Sequence, residues 1–371
     1  MTIKLSRCPG ANPEDAFKLA LENIRGWHSS KGEVPQVRNL ITPRAVRRLN
    51  TVAATQYDDN FGVARFYGGM IHRFPTATFD VIDGATKASR STSRELADFL
   101  LVAVFTEANE HGSHEVKSRR ACLIQAKLDC SSSGAQVFNL EPTTQDIPKK
   151  TDEEQFYLLN QWPDFGLSCA KPEKQFNLRA LDTPNRSLAK YCFLWDEPTA
   201  KTAKLPPSWQ SSWQCANPEP RATAETALGA LLVKMIDSDT GYGKEFEAAV
   251  PGNDWDSLMN TLTAECRMSE WSKESKLADP AGVSFVDEIC AFSTLQQHAR
   301  SLCNDPWQAQ VFPPYGYSSM SRALGLQGSG DPGLPVLVVA VSSFTRREAQ
   351  GDSEWSPRLA FRDALSKLGY P

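Results

Sequence analysis

Along this chain, segments whose apolar residues recur every three to four positions give way to short segments that are apolar almost throughout, and that pattern predicts its elements. The first is a helix over about 13–28. Phe17, Ala20, Leu21, Ile24 and Trp27 form its apolar stripe, Asn12 can cap it, Pro13 suits its first position, and Glu14 and Asp15 complement its positive end. A second helix is predicted over about 43–55, and ATFDVI (77–82) reads as a short strand in an otherwise mixed stretch. DFLLVAVF (98–105) and RRACLIQAKLD (119–129) are apolar runs separated by polar residues around Gly112, the pattern of a β-hairpin.

Downstream, Thr151 to Glu154 spells a capping box, so the following EEQFYLLNQW should be a helix ending before Pro163. LAKYCFLW (188–195) predicts a strand, and the Pro-, Ser- and Trp-rich stretch at 198–222 a long loop or boundary. Helical patterns cover 222–237, 254–273 and 284–303. GLQGSGDPGLP (325–335) is a loop, VLVVAVSSF (336–344) a strand buried on both faces, and RLAFRDALSKLG a last amphipathic helix. This order predicts an α/β protein with a mixed central sheet flanked by helices and a largely helical additional region. At 371 residues, more than one hydrophobic core is plausible. The expected division is an α/β core at 1–195 and a helical region at 196–371. If its late strand returns to the core sheet, 196–330 is an insertion.

The hairpin carries the candidate chemistry. A turn centred on Gly112 and Ser113 would place Asp98 opposite Lys127, and period-2 alternation puts Gln125 and Lys127 on one face with Ala126 pointing away. A carboxylate, an amide oxygen and an ammonium would then converge. Asp98 and the Gln125 carbonyl could hold a divalent metal, while Lys127 polarises a water or stabilises charge on a phosphate. That chemistry is phosphodiester hydrolysis. The plainer reading of the same residues is an ordinary hairpin whose Asp98 and Lys127 form a surface pair worth little.

An acid at the start of a strand, Asp98, followed after a hairpin by Gln-Ala-Lys at 125–127, resembles the PD-(D/E)XK nuclease superfamily and, within it, Gln-x-Lys variants among restriction-like enzymes and bacterial defence proteins. The resemblance spans about Arg94 to Phe165. It implies a restriction-endonuclease-like core, Mg²⁺ or Mn²⁺ held by Asp98 and Gln125, and Lys127 assisting the attacking water. An upstream acid, Glu95 or Glu22, would complete the site, and a helix after the Gln-x-Lys strand would pack beside it. DNA is the implied substrate ahead of RNA, and a protein partner in a multi-subunit defence system is implied with it. Gln125 stands where the family usually has an acid, which removes one charge from the site. A non-catalytic, nuclease-like scaffold or binding subunit is therefore the second expectation. The nine Trp, including Trp209 and Trp213, suit such a binding surface.

Composition narrows the rest. The net charge of −4 gives no general affinity for nucleic acid, so local clusters would have to supply it. Arg44, Arg47 and Arg48 share a face of the second predicted helix, and Lys117, Arg119 and Arg120 precede the second hairpin arm. Both clusters are candidate phosphate contacts, and both could equally be solvated faces. Nine cysteines without a C-x-x-C pair predict reduced thiols rather than a zinc ribbon. No apolar run is long enough to cross a bilayer and no leader pattern opens the chain, so a soluble, cytoplasmic protein with no membrane role is expected. The turn EANEHGSHEV holds His111 and His114 outside any H-E-x-x-H spacing, and phosphate-loop, dinucleotide and serine-hydrolase motifs are missing.

Overall fold

FLLVAVF is apolar at every position because both of its faces are covered. The computed structural model describes residues 5–26, 32–57, 62–72, 75–82, 88–108, 114–129, 151–168, 174–182, 186–195, 209–220, 223–224, 226–239, 241–247, 250–267 and 333–343. In chain order, helices α1 (Pro13–Gly26), α2 (Glu33–Asn39) and α3 (Pro43–Gln56) precede strands β1 (Gly62–His72), β2 (Thr76–Ile82), β3 (Ser89–Glu95), β4 (Phe99–Ala108) and β5 (His114–Asp129). Helix α4 (Thr151–Gln161) leads to β6 (Phe165–Leu167), β7 (Gln175–Phe176) and β8 (Ala189–Trp195). Then come β9 (Trp213–Ala216), β10 (Thr226–Ala227), α5 (Leu228–Ile236), β11 (Lys244–Glu245), α6 (Asp254–Glu265), β12 (Cys266–Arg267) and β13 (Gly333–Ser343).

The hairpin β4–β5 lies at the centre of a mixed sheet of order β10-β9-β8-β5-β4-β13-β1-β12. Strand β8 joins β5 in parallel, which requires a crossover, and α4 lies within that connection. On the other side β13 joins β4 in parallel, and β1 runs antiparallel to β13. The first half of β5 pairs with β11, the second half with β8. A second sheet, β3-β2-β6-β7, stacks on the first.

Alternation along β4 assigns its side chains to two cores. Phe99, Leu101, Ala103 and Phe105 pack with residues of α1, α2, α3 and α5, among them Phe17, Leu21, Val37, Leu49 and Leu231. Leu100, Val102 and Val104 pack with the second sheet, α4 and α6 through Phe79, Phe165, Phe156, Trp255 and Leu258. Each such fully buried side chain contributes roughly 1.5–3 kcal/mol, so the central strands anchor both layers.

The helices at 13–26, 43–56 and 151–161 and the strands at 76–82 and 189–195 match their sequence patterns closely. Strands β1 and β3 did not announce themselves. β1 contains Gly62, Gly68 and Gly69, residues depleted in strands, yet a Cβ at Gly68 would sit 2.5 Å from the Ile41 carbonyl, so close packing beneath the turn between α2 and α3 requires the glycine. β3 is polar because it edges the small sheet, and its Arg90, Arg94 and Thr92 bind the buried Glu154 carboxylate, Thr92 Oγ1 at 3.1 Å. Glu154 therefore ties β3 to α4.

The boundary expected at residue 195 lies within the large sheet, and the late strand returns to it. It falls between β8 and β9, antiparallel neighbours in one sheet, and β13 inserts between β4 and β1. A strand that buries both faces is stable only inside a sheet, which is why the late apolar run returns to the centre. The predicted helices at 284–303 and 358–369 and the hairpin turn at 109–113 lie outside the described residues.

Helices α1 and α5 touch at Gly229, where a Cβ would come within 2.5 Å of the Lys18 amide nitrogen and 2.9 Å of its Cα. Helix propensity alone favours Gly229→Ala by about 1 kcal/mol. The crowding opposes it, and the variant is expected to lose roughly 1–3 kcal/mol. A urea midpoint at or above that of the wild type would show that the two helices separate freely.

Candidate functional site

The ladder of the central hairpin pairs Phe99 with Ile124 and Leu100 with Leu123, so Asp98 lies opposite Gln125 and not Lys127. The innermost described pair is Ala108 with His114, and a bulge between Phe105 and Thr106 puts an extra residue into β5. Neither is visible in a pattern of apolar runs, which is why the expected register is two residues out. Alternation along β5 holds: Ala126 faces the α1–α5 side with Ile124, while Gln125 meets α4.

Asp98 is 4 % exposed at the entry to β4. Its backbone N–H donates to Ile124 O at 3.0 Å, and its Oδ2 accepts from the Ala126 N–H at 2.8 Å and from Gln125 Nε2. The Gln125 Oε1 in turn accepts from Gln155 Nε2 of α4, and the same Gln155 nitrogen donates to the Glu95 carbonyl at 3.2 Å. From the opposite side α2 reaches the end of β5, where Glu33 Oε1 accepts the Leu128 N–H at 2.9 Å. The hairpin end is thus clasped between α2 on one side and α4 with the end of β3 on the other.

Electrostatics couple this group. Burial pushes the Asp98 carboxyl up to about 7; the Ala126 N–H and the Lys127 charge oppose the rise, and Glu33 and Glu95 add to it. Burial also raises Glu95, against the pull of Lys127 and Arg38. Arg38 of α2 is itself lowered by burial, with Glu95 opposing. Three carboxyl groups and two cations therefore act on one another at a single sheet end.

Of the residues expected here, Asp98, Gln125, Lys127 and Glu95 come together. Glu22 does not: its carboxylate accepts from Ser211 Oγ at 3.1 Å, from the Ser212 N–H at 2.7 Å and from the Ser212 hydroxyl. Glu33, Arg38 and Gln155 are the members that sequence reasoning missed. Helix α2 has seven residues, too few to show a periodic stripe, and Gln155 sat inside a segment read only as a helix, without being singled out.

The Gln125 carbonyl is turned toward Gln155, not toward a site shared with Asp98. Its amide nitrogen instead lies between Asp98 Oδ2 and, at 3.5 Å, the Ala126 carbonyl. An N–H donor between two oxygens occupies the kind of position a cation would take. Turning the Gln125 and Gln155 amides over together would bring a third oxygen there, at the loss of the Gln155 bond to Glu95 O. Such oxygens suit Mg²⁺ or Mn²⁺ and not zinc. Among the described residues no three His, Cys, Asp or Glu side chains converge as a ligand set, so carboxylate donors would be supplemented by amide and backbone oxygens.

The basic candidates separate. Arg44 is exposed and Arg47 and Arg48 half-buried on α3, which lies over β1, separated from β5 by β13 and β4. Arg120 is a correction: it is 3 % exposed, donates to the carbonyls of Asp239, Tyr242 and Gly243, and pairs with Glu245 at 3.1 Å. It fastens β11 to β5 and offers no surface to a phosphate. Of the polar turn, Glu107 pairs with Lys117 at 3.8 Å, and 109–113 lie outside the described residues.

Comparison of the chain with protein-family models, with curated proteins and with solved structures returns no match. No helix among the described residues is long and apolar enough to cross a membrane.

Because the folded chain holds the Asp98 proton to about pH 7, the stability linked to it is full below the ordinary carboxyl range and is lost as pH rises toward 7. Asp98→Asn keeps an acceptor for the Ala126 N–H and cannot ionise. Relative to this variant, the wild type is expected to lose on the order of 4 kcal/mol between about pH 4 and 7. Denaturant unfolding across that range checks it, and a flat difference would mean that Asp98 ionises normally.

Proposed function

We propose that this chain is a metal-dependent nuclease that hydrolyses phosphodiester bonds, with DNA as substrate ahead of RNA, in a cytoplasmic bacterial defence or restriction setting. The observation that carries the reading is the meeting of Asp98, Gln125, Lys127 and Glu95 at one end of the central hairpin, with Glu33 added from α2. The order hairpin, helix α4, parallel strand β8, with α4 touching Gln125, supports a restriction-endonuclease-like core. Strand β13, inserted beside β4, is this chain's own elaboration of it.

Asp98 and the Gln125 carbonyl, once its amide is turned over, would hold the Mg²⁺ or Mn²⁺. When bound, the ion supplies Lewis-acid chemistry, lowering the pKa of a water and countering charge on the phosphate. Lys127 contributes a cation whose N–H groups can orient that water or a phosphate oxygen. Glu95, whose carboxyl burial makes more basic than usual, would take the proton the water gives up. Gln155 holds the Gln125 amide in place, and Arg44, Arg47 and Arg48 are offered as phosphate contacts away from the reacting centre.

A second reading has its own observation. Asp98 already accepts two protein N–H groups and Glu33 already caps a backbone amide, as acids in a scaffold would. The chain would then be a nuclease-like, non-catalytic scaffold or binding subunit of a defence complex. Metal binding separates the two.

Purified protein with Mg²⁺ or Mn²⁺ is expected to cut plasmid or linear DNA in preference to single-stranded RNA, and Lys127→Ala to abolish cutting while folding normally. Calorimetric Mn²⁺ titration should show binding that Asp98→Ala loses. Affinity should rise up to about tenfold per pH unit below 7 and level off above, because the ligand must be ionised. Absence of Mn²⁺ binding by the wild type would favour the scaffold; binding unchanged in Asp98→Ala would remove Asp98 as a ligand.

A further inference from the structure

On the other face of the central sheet, a cleft of about 500 Å³ opens beside β8 and β9, walled by α5 and by Asp239, Gly241 and Tyr242. Its lining includes Lys190, Cys215, Asn217, Thr226, Leu231 and Tyr242. It is separate from the Asp98 group: along β8, Tyr191 and Phe193 face α4, whereas Cys192 and Leu194, and with them Lys190 by alternation, face the α1–α5 side.

Lys190 is 5 % exposed. Its ammonium donates to the Arg186 carbonyl at 2.9 Å and to Asn217 Oδ1, leaving the third donor without an acceptor among the described residues. No carboxylate among them lies within ion-pairing distance of it. The two that act on it from farther off, Asp182 and Glu219, are each engaged by Arg186 at 3.4 Å. A buried cation without a direct counter-ion is costly to maintain, and an anion entering the cleft would relieve that cost. A second ammonium stands nearby. Lys234 Nζ lies 4.7 Å from the centre of the Tyr242 ring and Lys190 Nζ 5.4 Å from it, and the contact of Lys234 with Asp239 is long, at 3.7 Å.

The wall is preformed. Arg120 gathers the carbonyls of Asp239, Tyr242 and Gly243. Gly243 has φ +72°, and a Cβ there would meet Met235 Sδ at 2.6 Å, so the segment is shaped by a residue with no side chain. Clefts of roughly 300–1,000 Å³ accommodate small-molecule ligands, and a lining of one buried ammonium, an amide, a hydroxyl and an aromatic ring, with the Asp239 carboxylate taken up by the Gly241 N–H at 3.0 Å and by Lys234, is suited to a polar, charged one.

We propose that this cleft binds a phosphate-bearing small molecule of up to mononucleotide size, with Lys190 contacting the phosphate and Thr226 and Asn217 as its polar partners. The site is independent of the nuclease reading and would stand if that reading failed.

Calorimetric titration of the full chain with inorganic phosphate, with AMP and with citrate tests it. The wild type is expected to bind AMP, with phosphate weaker and citrate weaker still. Lys190→Met should weaken AMP about tenfold or more, the scale of losing a charge-assisted contact. Met at 190 replaces a buried cation by an apolar chain of similar length, so the variant should fold with a Tm at or above the wild type. Thr226→Val, a milder change, should weaken AMP severalfold and decides the matter if Lys190→Met does not fold. Absence of binding by the wild type, a preference for citrate, or affinity for AMP unchanged in either variant would overturn the proposal.

Discussion

The constraint on which the rest of this molecule depends is that its central strands bury both faces. A strand in that position must find partners for every backbone N–H and C=O within the sheet, since water reaches neither side. Hence β13 lies inside the sheet although its residues pair with ones 236 positions earlier in β4, as Val336 does with Leu100; loop closure costs only about 0.6 kcal/mol more for each doubling of loop length. Hence too the two layers: α1, α2, α3 and α5 cover one face, the small sheet with α4 and α6 the other.

Where this double burial ends, polar chemistry begins. Asp98 is the residue at which the chain enters β4, still deep enough that ionisation is penalised and close enough to the sheet end that Lys127, Glu95 and Glu33 act on it. The structure meets the demand of a buried carboxyl by supplying donors: the Ala126 N–H and the Gln125 amide, the latter held by Gln155. The chain of amides ties α4 and the end of β3 to the hairpin. A carboxyl raised to about 7 in such a setting changes charge in the neutral range, where a pairing with a cation can be made or released.

Both faces of the sheet carry buried charge, and each handles it differently. At the Asp98 end, carboxyls and cations from both layers, Glu33 and Arg38 of α2 among them, are grouped close together. On the α5 side Lys190 rests on a carbonyl and an amide oxygen, with Arg186 holding the nearest acids. Arg120, one strand away on β5, bonds three carbonyls and Glu245 and joins the cleft wall to the hairpin. The hairpin is therefore the shared support of both sites.

Local pattern determined much of this protein. The stripes of α1 and α3, the unbroken apolar runs of β4 and β13, and the Gln-x-Lys alternation on β5 follow from periodicity, because burial of one face or two leaves its mark on neighbouring residues. The candidates Asp98, Gln125 and Lys127 came from the same pattern, and Glu95 from the resemblance. Pairing was another matter. The innermost pairing and the bulge that together set Asp98 opposite Gln125, the arrival of Glu33 on a seven-residue helix, the diversion of Glu22 to Ser211 and Ser212, and the burial of Arg120 each depend on a partner distant in sequence. A side chain's role is set by the groups that desolvate and bond it, and only the tertiary structure brings those groups to it.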